Sequence, residues 1–168
     1  MQHPLPETLV PRRAAQMALT LTGSLPLSAV PRLSDAFELS APVTVALHFS
    51  QVDESSVRLT GKLATTVRLH CQRCLEGFET ALVADVDVEF GPSRPELETD
   101  REIVAGDDQP LVLASFVEDE LLLSAPMVAT HPQAACTPPG ELQETVSAGA
   151  VRRPFGELGN LLGRKEPD

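Results

Sequence analysis

Three stretches decide the architecture: FELSAPVTVALHF (Phe37 to Phe49), VRLTGKLATTVRLHC (Val57 to Cys71) and FETALVADVDVEF (Phe78 to Phe90). In the first, the odd positions Phe37, Leu39, Ala41, Val43, Val45, Leu47 and Phe49 are apolar, with Glu38, Ser40, Thr44 and His48 between them. Successive side chains of a strand point to opposite faces, so this period of two marks a half-buried strand. The second repeats the pattern with Val57, Leu59, Leu63, Val67, Leu69 and Cys71 opposite Arg58, Thr60, Lys62, Thr66, Arg68 and His70, and Gly61 is a place for it to bend. In the third the even positions take over, as Phe78, Thr80, Leu82, Ala84, Val86, Val88 and Phe90 face away from Glu79, Asp85, Asp87 and Glu89. The connections Gln51 to Ser56 and Gln72 to Gly77 are short, which predicts an antiparallel meander.

A sheet with one apolar face needs a cover. The segment after Pro110 predicts a helix that supplies it: Asp108 is placed to cap, Pro110 to sit in the first turn, Leu113, Phe116, Val117 and Leu121 share one face, and Pro126 is the stop. Shorter helices are expected at about Pro11 to Leu19 and Phe155 to Leu162. The expected fold class is therefore α+β, an antiparallel meander of three or more strands under a central helix. Residues 1–136 form the single α+β domain, with 91–109, which mixes Pro, Gly and acids without periodicity, as an acidic flexible loop inside it. Residues 137–168 read as a flexible linker and a short basic C-terminal helix.

Composition narrows the classes of function. The 168 residues fit one domain with tails, and 42% apolar residues suffice for its core. No apolar run approaches the roughly 18 residues of a membrane span, since Glu118, Asp119 and Glu120 interrupt Leu111 to Leu123. The N-terminus has no basic start followed by an apolar core, and three cysteines do not make a disulfide framework, so a reducing cytoplasm is the expected compartment. Net charge is −11, and residues 85–120 hold twelve acids against Arg94 and Arg101. Broad contact with phosphates draws on Lys and Arg, so this balance disfavours RNA and favours a basic protein partner. Direct RNA contact would fall to Arg12, Arg13, Arg152 and Arg153.

Cys71-Gln72-Arg73-Cys74 is the sharpest local signal, placed at the predicted hairpin turn, and His131 and Cys136 offer a second pair beyond the helix. Zinc takes four such ligands in a tetrahedron, so one zinc held by Cys71, Cys74, His131 and Cys136 would staple helix to sheet. The pattern equally admits three reduced cysteines packing as small hydrophobes. A thioredoxin-like redox role fits less well, because its first cysteine belongs at a helix N-terminus. His48 and His70 fall on polar strand faces, and the strand phenylalanines on apolar ones, so neither group is assigned chemistry. The triplet Glu118-Asp119-Glu120 admits a solvated helix face or a grip on a basic partner. Charge reversal there is expected to leave the fold intact. No phosphate loop, Gly-x-Ser-x-Gly or Ser/His/Asp pattern is present, which speaks against an enzyme.

Four blocks in order, LPETLVPRRAAQMALTLTG, VRLHCQRCLEGFET, LVLASFVEDELLLSAPMVATHPQAAC and RRPFGELGNLL, resemble the YceD-like large ribosomal RNA subunit accumulation proteins. The resemblance implies a role in synthesis, processing or stability of large-subunit ribosomal RNA, without an assigned catalytic residue. It falls on Cys71, Arg73, Cys74, Glu118, Asp119, Glu120, Pro126, His131 and Cys136. Combined with that role, the charge map favours as partner a basic ribosomal protein or an assembly factor of the large subunit, bound through the acidic segment 85–120, with Glu118, Asp119, Glu120 and Arg73 as candidate contacts.

Overall fold

A computed structural model of the chain describes residues 5–91, 102–106, 108–131 and 136, with side chains for all of these except 102–105. All of them belong to the unit Met1–Cys136, and the expected linker and C-terminal helix lie outside the described residues. In chain order the elements are β1 (Thr8–Leu9), α1 (Pro11–Gln16), β2 (Thr20–Leu25), a 3-10 turn (Leu27–Ala29), α2 (Pro31–Ala36), β3 (Glu38–Leu39), β4 (Val43–Gln51), β5 (Val57–His70), β6 (Gly77–Gly91), β7 (Glu102–Ala105), β8 (Leu111–Val112) and α3 (Leu113–Leu123). The main sheet runs β2-β4-β5-β6-β7, with β3 also on β5, and β1 pairs with β8 apart from it.

The three long strands are an antiparallel meander on the predicted faces. Val43, Val45, Leu47 and Phe49 of β4, Val57, Leu59, Leu63 and Val67 of β5, and Leu82, Ala84, Val86, Val88 and Phe90 of β6 are buried. Each such side chain taken fully out of water contributes about 1.5–3 kcal/mol, less for alanine.

The stretch expected as one strand from Phe37 to Phe49 is broken in two. Leu39 lies opposite Val67 and Thr44 opposite Ala64, so five steps along one strand answer three along the other. The two extra residues loop out, and Thr65 Oγ donates to the freed Ala41 carbonyl at 2.7 Å. An even number of extra residues returns the next side chain to the same face, which is why the alternation shows no gap. Gly61 does not interrupt the pairing of β5. A Cβ there would strike the Ala46 carbonyl and lie 2.8 Å from Leu47 Cα, so the glycine permits close approach of β4.

Helix α1 packs on β4 and β5 through Ala14 and Ala15, whose small side chains let it sit close. It stops at Gln16, short of the expected Leu19, because Ala18 turns to φ 46° and the chain enters β2. Strand β2, unforeseen, buries Leu21 and Leu25 and pairs with β4. Helix α3 covers β5 and β6 through Leu113, Val117 and Leu121 and ends before Pro126 as expected. Its start differs from expectation. Leu111 and Val112 pair with Leu9 and Thr8, so the helix begins at Leu113. Asp108 is not the cap; its carboxylate meets Arg12 Nε at 2.7 Å. Within 91–109, expected as loop, Glu102–Ala105 runs parallel to β6.

Candidate metal centre

The hairpin from β5 to β6 turns over Cys71 to Glu76, and backbone bonds close it: Cys71 N–H to the Glu76 carbonyl at 2.9 Å and Leu75 N–H to the Cys71 carbonyl at 2.8 Å. The chain beyond α3 is joined to this turn through the Gln72 N–H, which donates to the Ala129 carbonyl at 2.8 Å. That bond brings His131 to the turn. The Sγ atoms of Cys71, Cys74 and Cys136 and a ring nitrogen of His131 all lie within 4.8 Å of one another. The sequence-predicted ligands are thus brought together, from segments 57 and 65 residues apart.

Cys71 and Cys136 sulfurs are 3.8 Å apart, and Cys74 Sγ is 3.8 Å from each ring nitrogen of His131. Disulfide sulfurs lie about 2.05 Å apart, so these cysteines are free thiols. Two thiolates each about 2.3 Å from one tetrahedral zinc are about 3.8 Å apart, the separation seen here. The three cysteines are buried and His131 is partly exposed, its ring against Phe78 at 5.3 Å between centroids. This cluster is separate from the main core and contains Phe78 as its apolar neighbour.

Burial opposes ionisation of Cys71. The backbone N–H groups of Cys74, His131 and Arg73 and the Cys74 side chain, all directed at its sulfur, outweigh that and hold the thiol down at about 5. Cys136 is pushed up to about 11, by burial first and then by the neighbouring Cys71 and Cys74. A divalent cation reverses the second effect, since it turns mutual repulsion of thiolates into joint coordination. Three cysteines and one histidine fit zinc in donor type and number.

Among the described residues the other predicted ones do not form a second site. Glu118 is 3% exposed. Its Oε1 accepts the N–H of Arg32 at 2.7 Å and of Leu33 at 3.3 Å, so it closes the open N-terminus of α2 from outside, where a carboxylate is also favoured by the helix dipole. The solvated face expected for the triplet therefore excludes its first member. Asp119 is exposed and bonded to Arg32 at 2.7 Å, and Glu120 is half-buried. Other acids of residues 85–120 also have partners. Asp87 receives both Nε and Nη2 of Arg58 at 2.7 Å, and Asp85 lies 3.2 Å from Lys62. Those charges are answered inside the molecule; the side chains of Glu96, Glu98, Asp100, Glu102 and Asp107 lie outside the described residues. Arg12, read as a candidate RNA contact, donates to the Glu54 carbonyl at 2.9 Å besides its pair with Asp108. Arg73 is exposed at the turn. Arg152 and Arg153 lie outside the described residues. Leu75, which no sequence signal marked, has φ 67°.

Fold and site together define an α+β sheet protein with a closed Cys3His cluster at the end of its longest hairpin. Residues 59–162 match the family model of the large ribosomal RNA subunit accumulation protein YceD. A relative from Haemophilus influenzae, the large ribosomal RNA subunit accumulation protein YceD, is 30% identical over 175 residues, covering 96% of this chain and 90% of its own. The chain belongs to the YceD family. No solved structure matches it significantly. Among the described residues no helix is long and apolar enough to cross a membrane.

Proposed function

We propose that the chain sustains accumulation of large-subunit ribosomal RNA by binding and not by catalysis, with a zinc ion in the Cys3His cluster bracing the hairpin against the segment beyond α3. The observation that carries this reading is the closed ligand set. Cys71, Cys74, His131 and Cys136 supply all four positions of a tetrahedron, as structural zinc sites do, whereas catalytic zinc keeps one position for water or substrate. A dithiol enzyme is disfavoured on the same geometry, since Cys71 stands at a hairpin turn where no helix begins. The role in ribosomal RNA is supported by the family, and the partner is read as a protein of large-subunit assembly in the cytoplasm.

Cells lacking the protein are expected to show a lowered ratio of large-subunit to small-subunit RNA, with precursor or degraded large-subunit RNA and near-normal small-subunit RNA. An unchanged ratio would remove the ribosomal role. A gel shift of the purified chain with large-subunit RNA fragments separates the modes of binding, because tight binding that survives physiological salt would replace the protein partner by RNA.

A further inference from the structure

We infer that the end of the zinc-braced hairpin is a docking knob, on which Leu75, Met127 and Val128 enter an apolar groove with a carboxylate at its rim on a protein partner. The inference rests on the reading that this chain acts by binding, and adds the surface and the chemistry of what it meets.

Leu75 is the starting observation. Its φ of 67° is left-handed, a region that crowds the Cβ of a bulky residue and that glycine enters freely. Its side chain is 71% exposed, so burial in the core does not offset the strain. A residue that strains a turn and leaves most of its side chain in water is poorly explained by folding alone, and such outliers gather at functional sites. Two further exposed apolar side chains, Met127 at 96% and Val128 at 62%, stand on the segment joined to this turn by the Gln72 to Ala129 bond. Exposed apolar groups on two joined segments are what protein interfaces supply.

Charge selects the partner. From Ser55 to Leu75 the sequence has no acid, although the chain carries −11, and the next residue, Glu76, is exposed on the same turn. Arg58 and Lys62 in that stretch are paired with Asp87 and Asp85, and Arg68 stands across from Glu79. Arg73 is exposed beside Leu75 and makes no ion pair among the described residues. A carboxylate at the rim of the partner's groove answers it. RNA fits less well: the exposed side chains of the knob, Leu75, Met127 and Val128, are aliphatic. The short turn and the four ligands hold it in shape, so little ordering is left to binding.

The test compares Leu75→Gly with Ala18→Gly, which relieves a left-handed φ of 46° at an exposed turn after α1. Both full-length proteins are expected to melt at or above the parent temperature and to keep their metal. In cells lacking the chromosomal copy, Ala18→Gly should restore the ribosomal RNA ratio and Leu75→Gly should leave it at the deletion level. Benzoylphenylalanine placed at position 75 in cells should give, on irradiation, a nuclease-resistant adduct with another polypeptide, reduced about tenfold or more by Met127→Asp. The proposal is overturned if Leu75→Gly restores the ratio, or if it lowers the melting temperature and so marks Leu75 as a folding residue. A nuclease-sensitive adduct, a dimer of this chain, or no adduct overturns it equally. If the deletion itself leaves the ratio unchanged, the ribosomal reading falls, and the adduct alone judges the knob.

Discussion

Cys71→Ser in the full-length chain is expected to lose the metal and to lower stability by about 3–5 kcal/mol, the range of changes that remove a structural metal or break a buried network. Cys71 is fully buried and its Sγ lies 3.8 Å from that of Cys136, so its loss removes one of the four donors from the centre of the cluster. The damage should be local. Cys71, Cys74, Cys136 and Phe78 form a cluster apart from the core under α1 and α3. Hydrogen exchange should therefore quicken at the turn and at residues 129–131, while β4 and the middle of β5 keep their protection. A chelator strong enough to strip the parent protein should reproduce the pattern. Equal stability of Cys71→Ser and parent would mean that the cluster contributes only packing.

Glu118→Lys is expected to cost about 3–5 kcal/mol, because it removes the carboxylate that closes the N-terminus of α2 and buries a cation against that positive helix end. Glu118→Gln keeps an acceptor oxygen, and about 1–2 kcal/mol is expected. Asp119→Lys breaks only the exposed pair with Arg32, which is worth less than about 1 kcal/mol. Chemical denaturation of the three variants should give that order. If Glu118→Lys proves as mild as Asp119→Lys, the buried cap has been misread. Reversing the whole triplet at once would mix an unfolding effect with a surface effect, contrary to the expectation drawn from its polarity.

That contrast marks where the sequence stops being legible. Strand faces could be read through residues 37–90 because the register runs in steps of two, and even the interruption between Leu39 and Thr44 preserves parity. The candidate metal ligands could be chosen by donor type, although the separation of 57 residues between Cys74 and His131 says nothing about their meeting. What brings them together is the Gln72 to Ala129 backbone bond, and backbone groups leave no trace in side-chain patterns. Strand β2 carried a weak signal in Leu21 and Leu25, diluted by Gly23 between them. The burial of Glu118 depends on the N-terminus of α2, 86 residues earlier, although its place three residues before buried Leu121 put it beside the apolar stripe. Leu75 was invisible for a different reason, since a positive φ at leucine contradicts local propensity.

Zinc content tests the central claim most directly. The full chain, purified under reducing conditions without added metal and analysed for its elements, should carry about one zinc per chain, and Cys71→Ser should carry almost none. A folded parent protein with less than about a tenth of an equivalent of zinc or any other metal would contradict the account and return Cys71, Cys74, His131 and Cys136 to ordinary packing.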